Sequence, residues 1–237
     1  LFLTCKSNMQ GKNVVLIGGS YGIGKALATL LLQQGAEVYI LSRSAPDIGN
    51  HLPFDVSTDK INLAQLPQAV HGLVYLPGSI TLKPFHRFTD EEWAHDFNRN
   101  ALLAARTIRD MLPALKQAGQ AAVVLFSSVA AQVGMPFHAS IAMAKGAIEG
   151  LTRALAAELA PRIRVNAIAP SLTDTPLAAT LLKDEERKRL SAERHPLKRI
   201  GQAADIAAAA QFLLSDNSSW VTGQIFHVDG GLSALRL

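Results

Sequence analysis

Asn13-Val14-Val15-Leu16-Ile17-Gly18-Gly19-Ser20-Tyr21-Gly22-Ile23-Gly24-Lys25 is the stretch on which the fold turns. Val14 to Ile17 reads as a short buried strand, closed by Gly18-Gly19. A helix-period stretch follows from about Ile23 to Gln34 and stops at Gly35, a fitting residue just past a helix C-terminus. Between strand and helix the glycines fall as Gly-x-x-x-Gly-x-Gly. Gly18 permits the tight turn, Gly22 lets backbone approach a pyrophosphate, and Gly24 allows the helix to pack closely on the strand. The helix N-terminus offers N–H donors and positive dipole to the anion. Glycines alone would also suit an ordinary turn; the flanking strand and helix give these their meaning. Gly18, Ser20, Tyr21, Gly22, Ile23 and Gly24 are thus candidate dinucleotide-binding residues.

Working outward, the same alternation continues. Glu37 to Leu41, Gly72 to Leu76, Ala121 to Phe126, Arg164 to Ile168 and Gln224 to Val228 read as apolar strands. Helices are expected from Thr89, with Asp90, Glu91 and Glu92 in the first turn, from Ala139 to Ala160 before Pro161, from Thr180 to Leu190, and from Gln202 to Leu214. Uniformly apolar strands alternating with helices imply an α/β fold, a parallel sheet covered on both faces. Ligands bind such sheets at the carboxyl ends of the strands, near the switch point in strand order. Residues 1–10 read as an N-terminal extension and 11–237 as one domain.

The end of the second strand bears on cofactor choice. An acid there would bond a ribose 2′-hydroxyl. Ser42 and Arg43 stand there instead. Nothing repels a 2′-phosphate, and a guanidinium can pair with it bidentately. NADP(H) is therefore favoured over NAD(H), with a plain surface role the other reading of Arg43.

Composition narrows the classes. With 49% apolar and 18% charged residues, the chain is globular in type rather than disordered. The net charge of +4 is spread among interleaved acids, so no nucleic-acid partner is expected. No apolar run reaches bilayer-spanning length, and no membrane partner is expected. Leu1 to Lys6 is too short and too weakly patterned for a signal peptide. Cys5 is the one cysteine, so no intrachain disulfide can form and a cytoplasmic location fits. No metal site is expected.

Several further stretches belong together: Asp55-Val56, Tyr75-Leu76-Pro77-Gly78, Asn100, Ser127-Ser128, Lys145, Arg164 to Pro170, Thr173 to Pro176, Pro196 to Gly201, and Thr222 through Gly231. With the glycine loop they resemble the short-chain dehydrogenase/reductase family, in its 3-oxoacyl-acyl-carrier-protein reductase-like branch, over nearly the whole chain. The resemblance implies a Rossmann-type doubly wound parallel sheet of about seven strands, commonly assembled as a homo-tetramer or homo-dimer. It implies that Asp55 and Val56 meet the adenine, that Gly78, Lys145 and Pro170 line the cofactor, and that Thr175 holds the nicotinamide carboxamide. It further implies that Asn100, Ser128 and Lys145 are catalytic: Ser128 bonds the substrate oxygen, Lys145 the nicotinamide ribose, and Asn100 a water relay behind the lysine. The chain departs from the family at Ile17, at Tyr75-Leu76-Pro77 and at Ser171, which replaces a frequent glycine.

The largest departure is chemical. The family places a tyrosine four residues before the lysine, where both face the cleft from one side of a helix. Here that position is Ile141, which cannot donate a proton. Positioned acids typically contribute about 10²–10⁴-fold in rate. His138, Ser140 and Tyr75 are the nearby polar substitutes, each with a structural reading beside it. Ser140 lies about 100° around the helix from Ile141. Lys145 could pass a proton through water held by Asn100, or serve only as a ribose ligand. Two functions follow: an NADP(H)-dependent oxidoreductase acting on a carbonyl, alcohol or quinone-like small molecule, or a catalytically silent NADP(H)-binding subunit or sensor.

Overall fold

The computed structural model describes residues 9–236; Cys5 and the other opening residues 1–8 lie outside the described residues. Strand β1 (Asn13–Ile17) leads through the glycine loop into α1 (Gly22–Gln33), which ends at Gly35 with φ +81°. β2 (Glu37–Ser42), β3 (Asn50–Pro53) and β4 (Gly72–Tyr75) follow. Next come α2 (Asp90–Phe97), a π-helical turn (Asn98–Leu102) and α3 (Leu103–Gln117). β5 (Ala121–Phe126) and α4 (Ala139–Leu159) precede β6 (Ile163–Pro170). A two-strand bridge of β7 (Thr173–Asp174) and β8 (Gly201–Gln202) brackets α5 (Glu185–Glu193). The described chain closes with α6 (Ala203–Leu214) and β9 (Ile225–Val228).

Seven strands form one sheet in the order β3-β2-β1-β4-β5-β6-β9, and every pairing is parallel. The order reverses between β1 and β4, so a crevice opens above their carboxyl ends. This is the expected Rossmann-type α/β architecture. Its cause is visible in β1, whose side chains alternate between two buried faces. Val15 and Ile17 enter the core shared with Ile108, Met111 and Leu115 of α3 and Ile148 of α4. Val14 and Leu16 enter the opposite core with Leu27 and Leu31 of α1 and Leu213 of α6. A strand buried on both faces must be apolar throughout. Met9 is buried in the second core.

Three local expectations need correction. The helix expected over 180–190 begins only at Glu185, because the Asp184 carboxylate caps it by accepting the Arg187 N–H at 2.8 Å. The helix expected from Thr89 does start there, with Thr89 and Glu92 forming a reciprocal capping box. It is interrupted, however, by the π-helical turn, which carries Asn100. The strand expected over 164–168 extends to Pro170, where it pairs with Val228 at the sheet rim.

Candidate active site

The crevice above the switch point is a cavity of about 520 Å³. Gly18, Ser20, Tyr21, Gly22, Ile23 and Gly24 form one part of its wall; Ser42, Arg43, Asp55 and Val56 form the next. Gly78, Asn100, Ser128, Ile141, Lys145, Pro170 and Thr175 complete the side over β5 and β6. Every residue singled out from the sequence as catalytic or cofactor-binding thus lines one continuous space.

The glycine loop has the build of an anion cradle. Gly18 and Gly22 have φ of +74° and +57°, in the left-handed region that favours glycine. A Cβ on Gly24 would lie 2.6 Å from the Gly19 Cα, so the helix start can press onto the loop only with glycine there. Tyr21, the N-cap of α1, makes no side-chain capping bond. The first-turn N–H groups are thus not capped by it and can serve an anion. A Cβ on Gly22 would meet the Thr175 side chain at 3.5 Å, which shows how closely the segment after β6 approaches the loop.

At the end of β2, the Ser42 hydroxyl donates to the Ser44 carbonyl at 2.9 Å, and the Ser44 hydroxyl donates to Ser20 Oγ at 3.0 Å. These bonds tie the second strand's exit to the glycine loop. The exposed Arg43 projects at this rim. Asp55 stands nearby. The Ser57 backbone N–H holds its carboxyl below the usual carboxylate range, with attraction from Arg43 and Arg99 adding to the effect.

The end of the cavity over β5 and β6 centres on Gly78. A Cβ there would lie 3.1 Å from Asn100 Oδ1 and 3.9 Å from Lys145 Nζ, so its absence lets these groups share one site. The π-helical turn presents Asn100 inward, where it is buried. Its Oδ1 accepts the Ser79 N–H at 3.3 Å, while Nδ2 donates to the Asp96 carbonyl at 2.9 Å and to Ser79 Oγ at 3.0 Å. Lys145 Nζ donates to the Phe126 carbonyl at 2.9 Å. Burial pushes the Lys145 ammonium down to about 8, because the charged form is poorly solvated there. Ser128 Oγ accepts the Ala130 N–H at 3.2 Å, which leaves its proton to donate to a ligand in the cavity.

Ile141 stands one turn before Lys145 on α4, 4% exposed and in the cavity wall. Of its polar neighbours, Tyr75 is buried and donates to the Arg99 carbonyl at 2.8 Å, and burial raises its pKa. Ser140 donates to Asp96 Oδ2 at 2.8 Å, away from the cavity. His138 lines the cavity as the N-cap residue of α4, with Nδ1 2.7 Å from the Pro136 carbonyl oxygen.

Sequence reasoning missed two arrangements. One is the buried Asp96 carboxylate, which accepts the hydroxyls of Ser79, Thr81 and Ser140. The other pairs Ser171 with His195, both in the cavity wall, at 2.8 Å. Ser171 had a signal, since it stands where the resemblance expects glycine. His195 had none beyond its place before Pro196.

A family model described as Enoyl-(Acyl carrier protein) reductase matches residues 61–233. A tropinone reductase homolog from Arabidopsis thaliana is 33% identical over 247 residues, covering 95% of this chain and 94% of the relative. The 3-oxoacyl-acyl-carrier-protein reductase of Chlamydia trachomatis is 32% identical, covering 95% of this chain and 98% of the relative. The crystal structure of a gluconate 5-dehydrogenase from Burkholderia cenocepacia, in complex with NADP and tartrate, matches with a TM-score of 0.87 at 25% identity, covering 98% of each chain. With a model matched over most of its length and relatives of this identity, the chain belongs to the short-chain dehydrogenase/reductase family.

Proposed function

We infer that this protein is an NADP(H)-dependent oxidoreductase acting on a carbonyl, alcohol or quinone-like small molecule, with an active site altered at Ile141. The observation that carries this reading is the convergence at Gly78 of Asn100 and Lys145, in the same cavity as the glycine loop. The donor set fits a phosphorylated dinucleotide: N–H groups at the start of α1 for the pyrophosphate, Arg43 for a 2′-phosphate, and Lys145 for a ribose. Asp55 and Val56 are assigned to the adenine, Pro170 and Thr175 to the nicotinamide. When bound, the cofactor supplies the two-electron reducing equivalent.

The remaining work belongs to the chain. Ser128 donates a hydrogen bond to the substrate oxygen and holds it in place. Lys145 and Asn100 orient the ribose and keep a proton path ordered behind it. Leu172, Leu177 and Leu181 make the substrate side apolar. Residues 11–237 act as a single nucleotide-binding domain. A homo-dimer or homo-tetramer and a cytoplasmic location accompany this reading, the latter on the single cysteine.

The retained Asn100, Ser128 and Lys145 favour an enzyme. Ile141 and the divergent Tyr75-Leu76-Pro77 favour a second reading, a silent NADP(H)-binding subunit. Acceptor-dependent loss of NADPH absorbance, scanned over aliphatic aldehydes, ketones and ortho-quinones, separates the two. Turnover with any acceptor supports the enzyme. Tight nucleotide binding with no turnover across the panel supports the silent subunit.

A further inference from the structure

We propose that Ser171 and His195 form the proton relay of this active site, doing the work that Ile141 cannot. The proposal rests on the oxidoreductase reading above. Ser171 follows Pro170 at the end of β6, and His195 follows α5; both line the cavity that holds Ile141 and Ser128. Ser171 Oγ and His195 Nε2 are 2.8 Å apart. The other ring nitrogen, Nδ1, is 2.7 Å from the Ser191 carbonyl oxygen. A carbonyl only accepts, so Nδ1 must carry a proton. In the neutral ring Nε2 is then the acceptor, and the Ser171 hydroxyl donates to it. The ring is buried at 4% exposure, and its Cβ and Cδ2 lie where a Cβ on Gly230 would touch them at 3.5 Å. The Ser191 carbonyl at Nδ1 and the Ser171 hydroxyl at Nε2 thus hold its tautomer and orientation from two sides, as an acid–base pair requires.

The proton count closes. A bound nicotinamide would supply a hydride, one hydrogen nucleus with its two electrons; once the carbonyl carbon has accepted it the π bond is broken and the oxygen needs one proton. Ser171 Oγ–H gives that proton to the oxygen, and imidazolium Nε2–H restores the Ser171 hydroxyl. His195 ends neutral and takes a proton back from solvent through the same hydroxyl once product leaves. In the reverse direction the neutral ring takes the Ser171 proton as Ser171 takes that of the alcohol. The protonated ring therefore serves reduction and the neutral ring serves oxidation. The ionisable groups on the surrounding segments are Glu193, Arg194 and Lys198 beside His195, Asp174 beyond Ser171, and His227 and Asp229 at the end of β9. Asp229 is taken up by Ser233 and the Gly231 N–H, and Glu193 by Arg189.

The test compares wild type with Ser171→Ala, Ser171→Gly and His195→Gln, after NADPH titration shows that each variant still binds nucleotide. The probes are 2,3-butanedione, whose alkoxide product demands a proton, and 9,10-phenanthrenequinone, whose reduced form demands it far less. The expected result is a fall of about 10²-fold in the butanedione-to-quinone rate ratio in all three variants. The quinone rate itself should stay within a few-fold of wild type in all three variants, since its reduced form makes little demand on the relay. Long-range ¹H–¹⁵N spectra of the histidine rings supply a readout apart from turnover. They should show His195 protonated at Nδ1, with the Nε2 resonance moved in Ser171→Ala. An unchanged rate ratio, an equal fall in both rates, or an Nε2-protonated neutral ring would each overturn the relay. So would quinone reduction with no butanedione reduction in wild type; in that case the oxidoreductase reading would stand. Bound NADPH with neither probe reduced would overturn the relay, and no turnover across the wider acceptor panel would remove the oxidoreductase reading as well.

Discussion

The Ser140 hydroxyl donates to Asp96 Oδ2 at 2.8 Å, which turns the residue before Ile141 away from the cavity and into a buried polar cluster. Asp96 also accepts from Ser79 at 2.8 Å and Thr81 at 3.1 Å, and its backbone carbonyl anchors Asn100. The cluster therefore supports the Asn100 end of the cavity from behind.

Asp96→Ala leaves these hydroxyls without their acceptor in a site with no exposure. A loss on the order of 3 kcal/mol in unfolding free energy is expected. Urea melts should show a lower midpoint with unchanged slope. Asp96→Asn keeps one acceptor oxygen and should recover part of the loss. A midpoint equal to wild type in Asp96→Ala would contradict the account.

Ile141→Tyr places a phenol one turn from Lys145, on the face that lines the cavity. Ketone reduction should rise by about 10-fold or more, within the range that positioned acids supply. Initial rates with 2,3-butanedione and NADPH measure it. No gain, with nucleotide binding retained, would mean that the substrate pocket no longer presents a carbonyl to this face.

Lys145 gives a pH signature with a definite sign. Burial lowers its folded-state pKa to about 8, below the ordinary lysine value, so the unfolded chain binds more protons between the two. Below about pH 8 the lysine is charged in both states and its full burial penalty, on the order of 3 kcal/mol, is present. As pH rises past 8 toward the unfolded value, the penalty is relieved and stability increases. Lys145→Met lacks this dependence. The wild-type stability minus that of Lys145→Met should grow between pH 8 and 10 in urea melts; a flat or falling difference would contradict the shift.

Gly24→Ala sets a Cβ 2.6 Å from the Gly19 Cα and 3.0 Å from the Gly18 carbonyl oxygen. Backbone cannot yield as a flexible side chain would. The loop must open, at a cost of about 1–3 kcal/mol in stability, and the nucleotide cradle opens with it. Calorimetric titration with NADPH should show at least tenfold weaker binding.

The sheet and its helices were legible because their periods are written in side chains. Val14 to Ile17 must be apolar on both faces, and Thr89 with Glu92 spells a helix start. β3 was not legible: Asn-His-Leu-Pro at a sheet edge carries neither alternation nor apolar content, and its Pro53 is tolerated only because one side is unpaired. The π-helical turn at Asn98–Leu102 shifts the backbone register without altering the residue pattern. The glycine loop and the Arg43 rim were readable because backbone freedom and charge are local properties. The Asp96 cluster was not, since it joins residues 79, 81, 96 and 140, which only the folded chain brings together. Ser171 and His195 likewise meet only once α5 returns over the end of β6.

The most direct test of the central claim is titration of NADPH and NADH by calorimetry or nucleotide fluorescence, on wild type beside Arg43→Ala. The account predicts saturable NADPH binding, tighter than NADH, with NADPH affinity falling about 10- to 100-fold in Arg43→Ala and NADH affinity nearly unchanged. Binding of neither nucleotide, or NADPH affinity indifferent to Arg43, would contradict it.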